Sequence, residues 1–253
     1  MSKLSLIGIG CGDPDYLTGQ AIKALLEVDV FFVVDKGGEK TDLVELRTEI
    51  LRRHRPDGQF RTVKLEDPER DRNPGDYQAA VREWHHRRGV LYEEAIVNSL
   101  AIDECGAFLI WGDPALYDST LRIIDEIVER NQVHLNLDVI PGISSVQVLA
   151  SRHRIALNQI GGAIHITTGR RLSAGDIPGS GDLVIMLDST CAFRSITFDA
   201  NIYWGAYLGT HRELLIAGPV HEVGDEIERV RSEARKLYGW IMDVYLLRRN
   251  VTP

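Results

Sequence analysis

The feature that most constrains this chain is the segment 108–120, which reads FLIWGDPALYDST. Its apolar start predicts the end of a buried strand, and from Leu121 onward apolar residues recur at helical spacing. Gly112 permits a backbone conformation or close approach that a side chain would block, and Pro114 holds Asp113 outside the helical region. Open α/β sheets bind their ligands in loops of this kind, at the carboxyl ends of parallel strands. An ordinary strand-ending turn uses the same residue types, so the loop alone leaves both interpretations open.

Apolar patterning in the first half of the chain predicts strands that alternate with helices. Gly89 is where the longest predicted helix could break, because glycine weakens a helix interior. Alternation of this kind is typical of βαβ units, so we expect an α/β domain with a mainly parallel sheet. The predicted strands cover residues 4–9, 30–34, 60–65, 107–110 and 133–140, and the predicted helices cover 18–28, 43–53, 77–102 and 121–130.

The second half is richer in strand, which predicts a sheet of mixed direction. Pro141 and Gly142 interrupt the pattern between the halves. We therefore expect an N-terminal α/β domain over residues 1–140 and a C-terminal mixed α/β domain over residues 141–253. The later predicted strands cover 163–167, 183–187, 201–208, 214–217 and 240–247, with helices at 146–152 and around the apolar positions 223, 227, 230 and 234.

Charge and cysteine usage narrow the class of protein. The formal net charge is −8, which disfavours nucleic acid as a partner, and no apolar run is long enough to span a membrane. Cys11, Cys105 and Cys191 lie far apart, and the histidines show no ligand spacing, so neither a disulfide framework nor a metal site is expected. Because the N-terminus runs directly into strand-like sequence, no signal peptide is expected either, and the protein is predicted to be cytoplasmic.

Arginines cluster locally despite the acidic total. Such clusters ordinarily lie on a solvent-exposed surface of the protein. They would also suit a substrate with several carboxylates, because arginine binds carboxylates bidentately. The clustered residues are Arg52, Arg53, Arg55, Arg70, Arg72, Arg152, Arg154, Arg170 and Arg171.

The glycine loop at residues 8–13, GIGCGD, partly matches the dinucleotide-binding fingerprint. Asp13 occupies the third glycine position and Pro14 follows it, so the bare amides that a phosphate needs are missing. Asp35 ends the second predicted strand, where a ribose-binding acid would lie. A nicotinamide-dependent oxidoreductase therefore stays an alternative.

Three motifs resemble, in order and spacing, those of the tetrapyrrole (corrin/porphyrin) methylases. They are GIGCGDPDYLT from Gly8, FLIWGDPALYDST from Phe108 and VIPGISS from Val139. Four blocks, FFVVDKGGEKTDLVELR, EDPERDR, WGDPALYDSTLRI and GWIMDVYLLRR, are similar to the deacetylating methylase of aerobic cobalamin synthesis within that family. The resemblance covers essentially the whole chain.

The resemblance implies the two-domain fold of class III S-adenosylmethionine-dependent methyltransferases, with the cofactor in the cleft between the domains and S-adenosylhomocysteine as its product. It also implies a homodimer and a precorrin substrate, methylated at carbon 1 of the macrocycle as an acetyl group leaves as acetate. A sulfonium cofactor carries no phosphate, so the imperfect dinucleotide loop is no obstacle. Methylation of another tetrapyrrole position without deacetylation, and tetrapyrrole binding without catalysis, are the alternatives.

Matching the motifs of the family residue by residue implies a set of cofactor contacts. The central loop would be the main holder of the cofactor, the proline–glycine motif would add two small residues, and later strands would line the adenine pocket. Cys11 stands where many relatives have proline. The implied contacts are Cys11, Trp111, Gly112, Asp113, Leu116, Ser144, Ser145, Met186, Leu187, Ala206, Tyr207, Ala217 and Gly218.

Removal of an acetyl group by water requires a general base and stabilisation of the developing oxyanion. Asp35 is the first candidate, because relatives carry an aspartate near this strand end, displaced by one residue here. Asp13, Tyr16 and Asp118 are further candidates, although each could instead serve a turn or a cap. The Asp113 carboxylate could likewise bind only amides of its own loop.

Overall fold

The computed structural model describes residues 2–35, 41–69, 75–130 and 133–250. The chain folds into two compact units, and residues 11–13 and 141–144 group differently from the predicted division after residue 140. None of the described helices is both long enough and apolar enough to cross a membrane. Unit 1 comprises residues 1–10 and 14–144, and unit 2 comprises residues 11–13 and 145–253.

Unit 1 is a five-stranded sheet with helices on both faces. All of its strand pairs are parallel, in the order β3-β2-β4-β1-β5, which confirms the predicted parallel sheet. Its elements are β1 (Ser2–Gly8), a short 3-10 helix (Pro14–Tyr16), α1 (Gly19–Leu26), β2 (Val30–Asp35), α2 (Thr41–His54), β3 (Arg61–Glu66), α3 (Tyr77–Ser99), β4 (Cys105–Ile110), α4 (Thr120–Glu129) and β5 (Leu135–Ile140).

Of the two alternatives for this segment, one long helix or a break at Gly89, the structure has the first, because α3 runs unbroken through Gly89. A Cβ at this position would meet the guanidinium of Arg130 at 3.6 Å, which is ordinary contact. Glycine in a helix interior costs only about 1 kcal/mol relative to alanine. The packing of a helix this long on the sheet and on α4 offsets that cost.

The helices of unit 1 cover opposite faces of the sheet. Residues of α1 and α2 pack with Ile7, Phe31 and Leu109 on one face, and residues of α3 and α4 pack with Leu6 and Phe108 on the other. The neighbouring strands β1 and β4 therefore send their connections to opposite faces, and in opposite directions along the sheet. This arrangement is a topological switch point, the place where open α/β sheets bind ligands.

Unit 2 is a five-stranded sheet of mixed direction, as predicted, and its strand order is β6-β7-β10-β8-β9. Only β6 and β7 are parallel; the other neighbours are antiparallel. The last strand starts at Asp243, later than expected, and α6 was not predicted from the sequence. The elements are α5 (Ser145–His153), β6 (Ile164–Thr168), α6 (Gly169–Ser173), β7 (Asp182–Met186), a 3-10 helix (Ala192–Ser195), β8 (Ala200–Ala206), β9 (Leu214–Pro219), α7 (Val220–Tyr238) and β10 (Asp243–Arg249).

Candidate functional site

The loops that follow β1, β4 and β5 bind one another at the carboxyl edge of the unit 1 sheet. The Ile9 amide donates to the carbonyl oxygen of Ile110 at 2.9 Å. Gly10 and Gly112 then form an isolated antiparallel bridge, with N···O distances of 3.2 and 2.8 Å. The two strands at the switch point are therefore tied together just beyond their ends. We call these three loops the loop cradle, residues 8–10, 111–115 and 141–144.

Two glycines of the loop cradle are required by packing. A Cβ on Gly8 would lie 2.5 Å from the amide nitrogen of Gly142, and a Cβ on Gly142 would overlap the carbonyl oxygen of Gly112. Backbone atoms cannot move aside as the end of a flexible side chain can. The three loops consequently pack backbone against backbone, which is why these motifs carry glycine.

Gly112 meets a different requirement. Its φ of +72° lies in the left-handed region that favours glycine. Apart from its chain neighbours, a Cβ at this position would meet only the Cα of Ser144 among the described residues, at an ordinary 3.9 Å. Space therefore remains beside this backbone, and a ligand could approach it there.

Trp111 adds an unsatisfied donor to the loop cradle. Its ring packs against the core on the α1 and α2 face of the sheet. Its Nε1 is buried and has no hydrogen-bond acceptor among the residues that the structure describes. A buried indole N–H usually has a partner, and leaving a polar group unpaired costs about 1–3 kcal/mol. A polar group of a ligand would supply the missing acceptor.

Asp113 closes the loop after β4 onto the loop after β5. Its Oδ1 accepts from the Ala115 amide at 2.8 Å, and its Oδ2 accepts from the Gly142 amide at 2.9 Å. The Leu116 amide donates to the Asp113 carbonyl oxygen at 3.2 Å in the same turn. The hypothesis that this carboxylate binds amides of its own loop is confirmed for Ala115, while the bond from Gly142 comes from a different loop. A contact between Asp113 and the cofactor stays a prediction.

Replacing Asp113 with alanine should lower the free energy of unfolding by about 2–3 kcal/mol, because two amides lose a charged acceptor. Asp76→Ala is the matched control, since Asp76 accepts a single amide, that of Ala79, at the exposed start of α3. Urea unfolding should show a loss of about 1 kcal/mol for that cap. Equal losses in the two variants would show that Asp113 does not tie the loops together.

The candidate bases lie at the carboxyl edge of the unit 1 sheet or in the loop after β1. Asp35 is the exposed last residue of β2, which pairs with β4 as far as Phe32 and Phe108. Tyr16 ends the 3-10 helix and packs its Cβ where a side chain on Gly10 would stand. Because β2 and β1 lie on either side of β4 and run parallel to it, these candidates share the edge that carries the loop cradle.

Two other aspartates considered as bases lie in turns. Asp118 accepts from the Thr120 amide at 2.7 Å just before α4, which confirms its interpretation as a turn or capping residue. Asp13 belongs to the short segment that groups with unit 2, and its amide donates to the Cys11 carbonyl oxygen at 3.1 Å. A catalytic role for Asp13 stays a prediction.

The segment 11–13 packs tightly in unit 2. Cys11 is buried, and burial raises the pKa of its thiol to about 12, so the thiol stays protonated near neutral pH. A Cβ on Gly12 would overlap the carbonyl oxygen of Leu208.

The predicted contacts Ser144 and Ser145 lie at the start of α5, where Ser144 is buried.

Four of the cofactor contacts implied by the resemblance lie together at one edge of the unit 2 sheet. β7 and β8 run in the same direction on either side of β10, so both strands end at this edge. Leu187 and Tyr207, the residues just after the two strands, both have φ in the left-handed region, at 54° and 50°. Strained backbone of this kind is frequent at ligand sites. We call these four residues the strand-end edge, Met186, Leu187, Ala206 and Tyr207.

Two further implied contacts lie away from the strand-end edge. Ala217 pairs with Tyr203 and Gly218 pairs with Ile202, whereas the partner of Ala206 is Leu214. At about 3.3 Å per residue, Ala217 and Gly218 are therefore about 10–13 Å along β8 from Ala206. Their contact with the cofactor stays a prediction.

The prediction that Arg55 binds a substrate carboxylate is wrong. Its guanidinium is buried and already makes hydrogen bonds within the chain. It donates to the carbonyl oxygens of Leu25 and Val28 at 2.8 and 2.6 Å, and to that of Gln59 at 2.7 Å. Asp57 pairs with its Nε at 3.1 Å. This arginine joins the end of α1 to the loop after α2.

Several other clustered arginines pair with carboxylates of the chain itself. Arg52 and Arg53 both bind Glu49 and lower the pKa of that carboxyl to about 2. Arg152 binds Glu213 at 3.1 Å. Arg70 and Arg72 lie outside the described residues.

Sequence reasoning missed two residues beside the strand-end edge, Asp188 and Thr168. Asp188 is 6% exposed and receives hydrogen bonds from Thr190, Ala192 and Tyr245. Its position in Asp-Ser-Thr, directly after a predicted strand, was the available signal, because aspartate commonly binds the backbone of such turns. No comparable signal marked Thr168. Across the described residues, no group of three or more His, Cys, Asp or Glu is arranged to hold a metal ion.

The fold and the loop cradle define an α/β protein with a topological switch point in unit 1 and a mixed sheet in unit 2. The sequence matches the family model of the Tetrapyrrole (Corrin/Porphyrin) Methylases over residues 3–224. The chain belongs to this family.

Comparison with individual proteins shows which members of the family the chain resembles. The chain is 46% identical over 251 residues to a precorrin-6A synthase [deacetylating] of Sinorhizobium sp, covering 99% of this chain and 96% of that one. Its structure is similar to that of a cobalamin synthesis related protein (CobF) from Corynebacterium diphtheriae, with a TM-score of 0.83 and 39% identity over 98% and 99% of the two chains. Uroporphyrin-III C-methyl transferase from Thermus thermophilus, complexed with S-adenyl homocysteine, shares the fold with a TM-score of 0.56 at 16% identity over 97% of each chain.

Proposed function

We propose that this chain is an S-adenosylmethionine-dependent methyltransferase that converts precorrin-5 to precorrin-6A in cobalamin biosynthesis. The reaction methylates carbon 1 of the macrocycle and releases the acetyl group as acetate. The observation that carries the proposal is the 46% identity to a deacetylating precorrin-6A synthase over 99% of the chain. A precorrin-2 C(20)-methyltransferase of Sinorhizobium sp matches at 28% over only 58% of the chain, so methylation of another position is the weaker candidate.

Three features of unit 1 fit S-adenosylmethionine as the cofactor, two in the loop cradle and one just after the glycine loop. Gly112 leaves room beside its backbone, and Trp111 holds a buried donor with no acceptor among the described residues. Pro14 follows the glycine loop and has no N–H to donate to a phosphate. A ligand without phosphate does not need that donor. When bound, the cofactor supplies a methyl group that its positively charged sulfur has already activated. The chain is then required mainly to align the two reactants.

The unit 2 contacts implied by the resemblance are part of the same proposal. Leu187 is 65% exposed at the strand-end edge, which gives an apolar surface for an adenine ring. Cys11 and Ser145 belong to the same unit. Metal is not part of the proposal.

Deacetylation is the step that needs acid–base chemistry. A water oxygen forms a bond to the acetyl carbonyl carbon while a base takes the water proton, and the bond between that carbon and ring carbon 1 then breaks. The bonding electrons pass to the macrocycle, and the acyl fragment leaves as acetate. We propose Asp35 as the base, because it is an exposed carboxylate at the sheet edge that carries the loop cradle. Asp13 and Tyr16 are the alternatives.

Replacing Asp35 with asparagine should lower the rate of acetate release about 100-fold, the ordinary contribution of a general base. Glu66→Gln is the matched control, because Glu66 is the exposed last residue of the neighbouring strand β3 and pairs with Asp35 in the sheet register. Acetate is measured by an enzyme-coupled assay under single-turnover conditions. An unchanged rate in Asp35→Asn would transfer the role to Asp13 or Tyr16.

The substrate and the cellular setting complete the proposal. A precorrin carries several carboxylates, for which Arg154 and Arg170 are partners of suitable charge. The family resemblance supports a homodimer, and three buried cysteines without disulfides suit the cytoplasm. Sedimentation of the purified chain tests the dimer.

Incubation of the purified chain with precorrin-5 and S-adenosylmethionine tests the function. We expect S-adenosylhomocysteine and free acetate to appear together with precorrin-6A. Methylation without acetate would favour a methylase of another position. Precorrin binding without turnover of S-adenosylmethionine would favour a carrier, and a requirement for nicotinamide would favour an oxidoreductase.

A further inference from the structure

The Thr168 hydroxyl lacks the hydrogen-bond partner that a threonine just before a helix normally has. It is the last residue of β6 and the residue before α6, with φ −109° and ψ 154°. At such a position a threonine ordinarily accepts a hydrogen bond from an amide of the first helical turn. Thr168 makes no such bond, and its Oγ1 is buried with no partner among the described residues. A sealed, unpaired hydroxyl is unfavourable until some group pairs with it.

The surroundings of Thr168 join it to the strand-end edge. In the parallel ladder of β6 and β7, Thr168 is the register partner of Met186. Leu187 follows with φ 54° and a side chain that is 65% exposed. An unpaired hydroxyl and an exposed apolar side chain thus lie at the ends of two neighbouring strands. Polar and apolar groups converge in this way at small-molecule sites.

Asp188 makes this end of the two strands rigid. Its Oδ1 accepts from the Thr190 amide at 2.8 Å, and its Oδ2 accepts from the Ala192 amide and the Tyr245 hydroxyl, both at 2.7 Å. A Cβ on Gly169 would lie 2.5 Å from the Asp188 carboxyl, so the residue after Thr168 packs directly on this group. The turn after β7 and the turn after β6 therefore keep a fixed geometry.

We propose that the Thr168 hydroxyl binds a polar group of S-adenosylmethionine beside Met186 and Leu187. The inference rests on the proposed function, which supplies the identity of the ligand. Thr168 is only partly buried, and threonine populates more than one rotamer, so we expect a change of its χ1 rotamer to present the hydroxyl to the ligand. An oxygen or nitrogen of the ligand then takes the place of the missing capping bond.

Calorimetric titration with S-adenosylhomocysteine tests this contact in the full chain. Thr168→Val removes the hydroxyl and keeps the branched shape, so we expect its Kd to rise about 5–20-fold, the effect of losing one hydrogen bond. Thr168→Ser keeps the hydroxyl and should stay within about threefold of the wild type on the same reasoning. The melting temperature of Thr168→Val without ligand should be equal or higher, because the variant no longer buries an unpaired hydroxyl. Thr168→Ala, measured in parallel, is a second variant without the hydroxyl.

The outcomes separate this inference from the proposed function. Wild-type affinity in Thr168→Val or Thr168→Ala would overturn the contact and leave the proposed function standing. Equal losses in Thr168→Val and Thr168→Ser would also overturn it, because the hydroxyl would not be the cause. Failure of the wild-type chain to bind S-adenosylhomocysteine would instead contradict the proposed function itself.

Discussion

Replacing Gly142 with alanine is expected to lower the free energy of unfolding by on the order of 3 kcal/mol or more. The new Cβ would overlap the Gly112 carbonyl oxygen and lie 2.8 Å from the carbonyl carbon of Gly8. Both neighbours are backbone, so relief requires the loops after β1 and β4 to separate. That separation would break the Gly10–Gly112 bridge and the bond from the Gly142 amide to Asp113.

The same variant should weaken binding of S-adenosylhomocysteine at least about tenfold, which corresponds to 1.4 kcal/mol. Gly19→Ala is the matched control, because, apart from its chain neighbours and the backbone of its own helix, no described atom lies within 4 Å of its Cβ position at the start of α1. That substitution should be neutral or stabilise the chain by about 0.4–1 kcal/mol. Urea unfolding and calorimetry measure both quantities. If Gly142→Ala behaved like Gly19→Ala, the close packing of the loop cradle would not support the site.

Replacing Arg231 with methionine should destabilise the chain by about 3–5 kcal/mol, the cost of leaving a buried charge without its partner. The Arg231 Nε binds the Asp243 Oδ2 at 2.9 Å, and the two side chains are 9% and 4% exposed. Trp204 Nε1 donates to the same oxygen at 3.0 Å. Without the guanidinium, the Asp243 carboxylate would keep only this neutral donor among the residues that the structure describes.

The loss in Arg231→Met should depend on pH. Burial raises the pKa of Asp243 above its ordinary value, and the positive charge of Arg231 opposes that rise. A carboxyl whose pKa is higher in the folded than in the unfolded chain loses stability as pH rises through the interval between those two values. Removing Arg231 raises the folded pKa further, so the loss is largest at neutral pH and smallest below the unfolded value of about 3.9.

Arg229→Met is the control for this measurement. Arg229 lies on the same helix and pairs with Glu233 at 3.0 Å, but both side chains are about 60% exposed. An exposed pair of this kind contributes less than about 1 kcal/mol. Urea unfolding of both variants between pH 3 and pH 8 tests the account. A loss in Arg231→Met that matched the control, or that did not change with pH, would contradict it.

The order of the strands and helices could be predicted because each depends on local patterning. The apolar runs 4–9 and 107–110 fall on β1 and β4, and the apolar positions 223, 227 and 230 fall on one side of α7. Arg231 also lies on the buried part of this helix, since it reaches Asp243 across the unit 2 core. A charged residue among apolar positions was visible in the sequence, but its partner, twelve residues later, was not.

Features that depend on contacts between distant parts of the chain could not be predicted. The register of β9 against β8 sets Ala217 opposite Tyr203, and nothing local encodes that pairing. The burial of Arg55 depends on carbonyl oxygens at the end of α1, such as that of Leu25. The motifs did locate the loop cradle, whereas the reason for Gly8 and Gly142, backbone packing between loops, required the structure.

The most direct test of the account follows the methyl group itself. The purified chain is incubated with precorrin-5 and S-adenosylmethionine labelled with ¹³C in its methyl group, and the product is examined by NMR while acetate is quantified. We predict that the label appears on carbon 1 of the macrocycle, with one acetate released for each methyl group transferred. Label at another carbon, or methylation without an equal amount of acetate, would contradict the account.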